Sequence, residues 1–251
     1  MKEILEQFQN EAEYRALLEG FREGHTPCIV SGMCDSSRPF LVAALLRDLG
    51  KKGLVVVSEE KDAHALREIL GLFFARVLVF TARDFVFENV SAYSKEWEQE
   101  RLQVLQRVAA GDYDVVLAVP DALMQYTMPR SVLEASTLRF ERGARLSTEE
   151  ACARLSAMGY ARAELVEGAG QFALRGGILD VFSPQYPEPF RVDFFGDEID
   201  LIGFFDVLSQ RRSENSDAVC AVPCSELLPD EAAYGRAEAQ IEALLARFAG
   251  E

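Results

Sequence analysis

The sequence has 251 residues, of which 49% are hydrophobic and 27% charged, enough to bury one large core or two smaller ones. This composition excludes intrinsic disorder and a disulfide-stabilised miniprotein. The 26 Lys and Arg residues against 41 Asp and Glu residues give a net charge of -15 at pH 7. Such a charge repels phosphate backbones and anionic lipid surfaces, so we do not expect a stand-alone nucleic-acid binder.

The hydrophobic segments are short. None approaches the ~20 apolar residues that a membrane span needs, and the N-terminal sequence MKEILEQFQNEAEY is polar and amphipathic, without a signal-peptide core. We therefore expect a cytoplasmic protein with no membrane partner.

The cysteine and histidine content is low, with Cys28, Cys34, Cys152, Cys220 and Cys224, and with His25 and His64. The odd cysteine count and the absence of a CxxC pair argue against zinc binding. A thiol nucleophile with His25 as its base is conceivable for Cys28 or Cys34, but free cysteines are mostly buried. We expect a buried cysteine in an apolar strand and no metal site.

Residues 27–126 alternate short β-branched runs with longer helical stretches. Strands are predicted at residues 28–30, 54–57, 77–80 and 114–119, and helices at residues 40–49, 63–70 and 96–109. Because right-handed crossovers join such strands in parallel, the pattern predicts a doubly wound α/β domain with a parallel sheet.

The pattern changes near residue 137. A capping box, Ser147-Thr148-Glu149-Glu150, predicts a short helix. Alternating runs then predict antiparallel strands at residues 172–175, 178–182, 190–195 and 198–205, with a bulge or bend at residues 176–177 and a turn at residues 196–197. These elements make a small α+β domain. The last helix, at residues 231–248, is expected either to dock on the first sheet or to begin a further domain of a longer protein.

The segment after residue 30 occupies the position of a phosphate-binding loop, but it is degenerate. Gly32 fits the first glycine of G-x-x-x-x-G-K-[ST], whereas the second glycine, the lysine and the hydroxyl residue fall on Ser37, Arg38 and Pro39. Asp35 adds a negative charge inside the loop. We therefore do not expect ATP binding there, although Arg38 could meet a phosphate.

A structural interpretation explains the same residues better. Ser36 or Ser37 would cap the next helix, with Pro39 in its first turn. Asp121 ends a strand as a Walker-B carboxylate does, but Ala122 follows where many ATPases have Glu. Asp121 is accordingly predicted to be the N-cap of a short helix.

The most informative strand is residues 190–195. Its periodicity places Arg191, Asp193 and Phe195 on one face and leaves Phe190, Val192 and Phe194 for the core. The turn at residues 196–197 predicts that Phe194 pairs with Ile199 and Asp193 with Asp200.

Arg175 in the neighbouring hairpin is expected near Arg191, beside Asp193, Asp200 and Glu198. A solvated salt-bridge face is one interpretation of this charge pattern. The other is a protein interface, because Phe195 points outward among arginines, and arginine with an aromatic residue is typical of interface hot spots.

The motifs FALRGGILDVF, PFRVDFFGDEID and FFDVLSQRR resemble the second domain of the bacterial transcription-repair coupling factor (Mfd) family and, less closely, of the UvrB family. The resemblance extends backward through STEEACARLSAMGY and VVLAVPDALMQ to VSGMCDSSRPFLVAALL, and it covers about residues 25–225. The degenerate phosphate loop favours the coupling factors, because UvrB retains a working loop.

The resemblance implies three segments: residues 1–136 as UvrB-like domain 1A, residues 137–222 as domain 2, which contacts UvrA, and residues 223–251 as the start of domain 1B. It also implies that Arg175, Arg191 and Phe195 contact UvrA. These are the residues that the strand periodicity turns outward.

The implied function is non-catalytic recruitment of UvrA to RNA polymerase stalled at DNA lesions. The family's contacts to RNA polymerase and double-stranded DNA, and its motor that uses ATP and Mg²⁺, lie in other domains, so these residues are expected to need no cofactor. Two alternatives remain: a UvrB-type ATPase subunit that processes damaged DNA, with Arg38 replacing the loop lysine, and an autoinhibitory shielding module.

Overall fold

The computed structural model describes residues 2–83, 96–228 and 231–248. The chain divides into two compact units, Met1–Tyr126 and Thr127–Glu251. Each unit has its own hydrophobic core and its own sheet. The protein therefore combines α/β structure with parallel and antiparallel sheets.

The first unit is built around a parallel sheet. Its elements are α1 (Lys2–Asn10), α2 (Ala12–Arg22), α3 (Arg38–Leu49), β1 (Gly53–Val56), α4 (Glu60–Leu70), β2 (Val77–Phe80), α5 (Glu96–Ala109), β3 (Val115–Ala118) and α6 (Pro120–Met124). Among the described residues the strand order is β1-β3-β2, with Val115 opposite both Gly53 and Val77.

Both faces of this sheet carry buried apolar side chains. Leu117 packs on one face with Leu70 of α4, in a cluster that includes residues of α3. Val116 points to the other face, where it packs with Phe80 and with Val104 of α5. Strand β3 lies between two neighbours and is buried throughout, which explains its uniformly apolar sequence.

The predicted strand at residues 28–30 is not formed. The structure assigns these residues no strand, and Ile29 is 94% exposed. Cys28 and Cys34 are also exposed, so the expectation of a buried cysteine there is wrong. Three apolar residues indicate a strand only if a neighbouring strand accepts their backbone hydrogen bonds, and no ladder pairs this run within the described chain.

The second unit is dominated by antiparallel structure. Its elements are α7 (Arg130–Ala135), β4 (Leu138–Glu141), α8 (Thr148–Ala157), β5 (Ala161–Arg162), β6 (Gln171–Arg175), β7 (Ile178–Phe182), β8 (Phe190–Phe195), β9 (Glu198–Phe205), β10 (Arg212–Ser216), β11 (Ala218–Ala221) and α9 (Glu231–Phe248). Within the described residues, one sheet has the order β10-β9-β8-β7-β6-β5, and β4 pairs with β11. Only β5 runs parallel to its neighbour, β6, in these two sheets.

One face of the six-stranded sheet packs into the core of this unit. Leu155 of α8 is buried against that face, together with Phe140 of β4. The sheet contributes Phe172, Leu179, Val181, Phe190, Val192, Ile199 and Ile202. The side chains that alternate with these residues therefore form a second face, directed away from α8.

Of the predicted capping box, the N-cap bond of Ser147 is confirmed. Ser147 Oγ accepts a hydrogen bond of 3.1 Å from the backbone N–H of Glu150, and α8 begins at the next residue after Ser147. The helix predicted at residues 231–248 also forms. Its apolar residues Ile241, Leu244, Leu245 and Phe248 are exposed.

The register of the β8–β9 hairpin differs from the prediction by one residue. Phe194 pairs with Ile199 as expected, but Asp193 pairs with Leu201 rather than with Asp200. A bulge inserts Asp200 as an extra residue of β9. The bulge keeps Val192 opposite Ile202, so both apolar side chains stay in the core.

No helix among the described residues is long and apolar enough to cross a membrane.

Candidate functional site

The second face of the six-stranded sheet carries a cluster of charged residues beside an exposed aromatic ring. We call this surface the arginine face and define it by Arg175 of β6, Asp180 of β7, and Arg191, Asp193 and Phe195 of β8. Antiparallel pairing of β6, β7 and β8 brings these residues together, with Asp180 directly opposite Arg191. The predicted proximity of the two arginines is confirmed, because both bind one carboxylate.

That carboxylate belongs to Asp180, which is only 1% exposed. Arg191 donates to it twice, from Nε to Oδ1 at 2.6 Å and from Nη2 to Oδ2 at 2.9 Å. Arg175 donates from Nη2 to Oδ2 at 2.6 Å. Asp180 is not among the acidic residues that the sequence predicted beside the two arginines, which were Asp193, Asp200 and Glu198. Alternation does put Asp180 on the same sheet face as Arg175, although the residue directly opposite Asp180 in β6 is Ala173.

Arg191 is the more enclosed of the two arginines, with 17% of its side chain exposed. Its guanidinium carbon lies 4.5 Å from the ring centroid of Phe205, and Nη2 also reaches Gln210 Oε1 at 3.4 Å. Hydrogen bonding to Asp180 raises the pKa of Arg191 against the opposing effect of burial. Arg191 is therefore a fixed cation beneath the surface.

Arg175 is more accessible. Its side chain is 47% exposed and donates a single hydrogen bond, to Asp180. A guanidinium has five N–H donors. Arg175 therefore retains donors for a carboxylate on another molecule.

Asp193 forms a second ion pair on the same face. Its Oδ2 accepts a hydrogen bond of 2.8 Å from Arg212 of β10. The buried Oδ1 has no hydrogen-bond partner among the described residues. The expected salt-bridge face thus exists, but the two aspartates bind different arginines.

Phe195 ends β8 and is 85% exposed. The following turn begins with Gly196, whose φ of +63° lies in the region that favours glycine. Beside the ring is an open cleft of about 490 Å³, lined by Arg145, Leu146, Ser147, Glu150, Phe195, Asp197 and Glu198. An exposed aromatic ring at the edge of a cleft is a surface that can bind another protein.

The degenerate phosphate loop leads directly into α3. A 3₁₀ turn, Asp35–Ser37, precedes the helix, and Arg38 Nη2 forms an ion pair of 2.9 Å with Asp35 Oδ1. Pro39 lies in the first turn of α3, as predicted. Arg38 thus already has a carboxylate partner inside the loop.

Two predicted helix caps are wrong. Ser37 occupies the N-cap position of α3 without a side-chain capping bond, and Ser36 Oγ instead lies 3.1 Å from Cys34 Sγ. Asp121 is inside the first turn of α6, whose N-cap is Val119. The helix begins two residues earlier than predicted because Pro120 takes its favoured first position.

Within residues 2–83, 96–228 and 231–248, no group of three or more His, Cys, Asp or Glu side chains is arranged to hold a metal ion.

Comparison with known protein families identifies the class of domain that carries the arginine face. Residues 138–227 match the family described as the UvrB interaction domain. The five residues of the arginine face all lie inside this match.

Curated relatives extend the similarity over most of the chain. It is 26% identical over 238 residues to the transcription-repair-coupling factor of Bacillus subtilis (strain 168), covering 93% of this chain and 20% of that protein. The transcription-repair-coupling factor of Myxococcus xanthus is 32% identical over 227 residues, covering 86% of this chain and 19% of the relative. The transcription-repair-coupling factor of Escherichia coli (strain K12) is 36% identical over 133 residues, covering 53% of this chain and 12% of that protein.

The chain therefore spans about a fifth of the length of the first two relatives. The resemblance to the UvrB-homology region of transcription-repair coupling factors is confirmed. The chain is related to DNA-repair proteins, and the matched family is an interaction domain.

Proposed function

We propose that this chain recruits UvrA to RNA polymerase stalled at DNA lesions, as a non-catalytic module of transcription-coupled nucleotide excision repair. One observation carries the proposal. Arg175, Arg191 and Phe195 share one sheet face within the region that matches the UvrB interaction domain. The resemblance implies that these three residues contact UvrA.

The geometry supports different roles for the three side chains. Arg175 has free N–H donors and half-exposed surface, so it can donate charge-assisted hydrogen bonds to a UvrA carboxylate. Phe195 can bury its exposed ring in an apolar notch of the partner. Arg191 uses Nε and Nη2 to bind Asp180, and the exposed 17% of its side chain is the part that can contact UvrA.

The surrounding domains are also assigned by this proposal. Residues 1–136 would be UvrB-like domain 1A, a doubly wound domain with an inactive phosphate loop, and residues 137–222 would be the UvrA-binding domain 2. Residues 223–251 would begin domain 1B. ATP and Mg²⁺ would act at the motor of the full-length family protein, which also supplies the contacts to RNA polymerase and double-stranded DNA.

The ion pair inside the degenerate loop supports the part of the proposal in which this chain binds no nucleotide. Arg38 is bound to Asp35, and Pro39 offers neither a hydroxyl for Mg²⁺ nor a backbone N–H for a phosphate oxygen. A UvrB-type ATPase would need these groups.

Calorimetry tests the proposal directly. UvrA titrated into the chain is expected to give saturable binding, whereas ATP with Mg²⁺ titrated into the same chain is expected to give none. Arg175→Glu should abolish UvrA binding, because it places a carboxylate against the partner's carboxylates. Arg139→Glu is the matched control, an exposed arginine of β4 within the same domain. Saturable ATP binding without UvrA binding would favour the ATPase alternative, and UvrA binding by Arg175→Glu at wild-type affinity would overturn the site.

A further inference from the structure

The three residues proposed to contact UvrA do not include Asp180, although it is the most deeply buried charged group of the arginine face. Its side chain is 1% exposed, and each of its oxygens accepts at least one hydrogen bond from an arginine. A carboxylate removed from water in this way requires paired cations. Asp180 therefore fixes where the two guanidinium groups lie.

The three groups together carry one net positive charge, since two guanidinium cations share one carboxylate. That charge is distributed unequally between the arginines. Arg191 is bound by Asp180, faces the ring of Phe205 and reaches Gln210. Arg175 makes a single bond to Asp180 and is the accessible member of the pair. The exposed positive charge therefore resides on Arg175.

Shared binding to one carboxylate also limits how the arginines move. A flexible arginine loses side-chain entropy when it binds a partner, and a guanidinium already held in place loses less. The bidentate contact fixes the plane of the Arg191 guanidinium, since it uses two N–H groups of the same fork. The site is thus preorganised by a residue beneath its surface.

We propose that Asp180 is a positioning residue of the UvrA-binding site, which holds Arg175 and Arg191 in the arrangement that the partner recognises. The inference rests on the proposed function. It separates two ways in which an arginine pair can attract an acidic partner. If only positive charge mattered, loss of Asp180 would strengthen binding; if position matters, the same loss weakens it.

The substitution Asp180→Asn tests this, because it removes the negative charge with little change of size. We expect the dissociation constant for UvrA, measured by calorimetry, to rise at least tenfold. Glu141→Gln is the matched control, since it removes one negative charge from an ion pair of the same domain, with Arg139 of β4, that lies outside the arginine face. We expect it to change the affinity less than threefold. Unchanged or tighter binding by Asp180→Asn would overturn the inference.

A second measurement shows whether Asp180 acts through the arginines. In the Arg175→Gln background, Asp180→Asn should cause a smaller fold-loss than in the wild-type chain, because one of the positioned groups is already gone. Equal fold-losses in both backgrounds would mean that Asp180 acts elsewhere, and would also overturn the inference. Thermal unfolding by circular dichroism establishes that each variant is folded.

If Asp180→Asn does not fold, Arg191→Lys replaces it. Lysine keeps the positive charge but cannot form the bidentate contact with Asp180. The dissociation constant should rise several-fold while its dependence on salt concentration stays as in the wild-type chain, and Arg212→Lys serves as the control. Wild-type affinity for Arg191→Lys would overturn the inference. Failure of the wild-type chain to bind UvrA would instead overturn the proposed function on which it rests.

Discussion

Phe195 lies directly opposite Glu198 across the turn of the β8–β9 hairpin, where its ring is exposed at the edge of the cleft. The ring contributes little to the core of its own domain. We therefore expect Phe195→Ala to leave the melting temperature nearly unchanged while it weakens UvrA binding by about 2 kcal/mol, the loss typical of an interface hot spot. Calorimetry with UvrA measures this loss.

Phe248→Ala is the control for this prediction, because Phe248 is another exposed aromatic residue and lies in α9. UvrA affinity should be unchanged in that variant. An equal loss of affinity in both variants would show that general surface hydrophobicity, rather than the position of Phe195, determines binding.

The two arginines bound to Asp180 should differ in their importance for stability. Arg191 is mostly buried and bidentate, so Arg191→Gln leaves a buried carboxylate with only one cation and is expected to cost about 3 kcal/mol in the free energy of unfolding. Arg175 is half-exposed and solvent screens its contact, so Arg175→Gln should cost about 1 kcal/mol or less. Urea denaturation of the two variants measures both values. A larger loss of unfolding free energy in Arg175→Gln than in Arg191→Gln would contradict the prediction that the more buried arginine contributes more to stability.

The capping bond of α8 should make a measurable contribution to the second unit. Ser147→Ala removes the acceptor of the Glu150 backbone N–H and is expected to destabilise the unit by about 1 kcal/mol. Ser156→Ala is the control within the same helix, where alanine has the higher helix propensity and should be neutral or slightly stabilising. Equal denaturation midpoints for the two variants would contradict the role of the cap.

Acid should weaken the first unit through Asp48. Burial raises the pKa of this carboxyl, but hydrogen bonds from Tyr14 at 2.7 Å, Arg47 at 2.9 Å and Gln9 at 3.1 Å outweigh burial and lower it overall. A lowered pKa in the folded state means that the stabilisation is fully present above the unfolded value of about 3.9, and is lost as the pH falls through the folded value.

Melting curves recorded from about pH 7 to about pH 3 test this linkage. Asp48→Asn should be less stable than the wild-type chain at neutral pH, and the difference should shrink as the pH falls below about 4. A difference that stays constant over this range would show that Asp48 does not contribute through its charge.

Most regular elements could be predicted from local sequence. The alternation of residues 190–195, the N-cap at Ser147 and the helix at residues 231–248 depend on interactions between near neighbours in the chain, and all three predictions are confirmed. The outward position of Phe195 also follows from alternation, because successive strand residues point to opposite faces.

The failures concern hydrogen-bond partners and strand register, which residue preferences do not specify. Residues 28–30 have strand character but no hydrogen-bonding neighbour within the described chain, and the bulge at Asp200 shifts the register so that Asp193 faces Leu201. Local residue preferences carry no information about which strand lies alongside another. They also cannot place an ion-pair partner across a sheet.

Sequence alone determined the alternation of buried and exposed residues, the position of the arginine-bearing strands and the resemblance to coupling factors. Tertiary structure alone decided that Arg175 and Arg191 share the carboxylate of Asp180, and that Arg191 is enclosed while Arg175 is accessible. The physical reason is that strand pairing brings β6, β7 and β8 side by side. Burial of a charge then depends on the side chains that this pairing places around it.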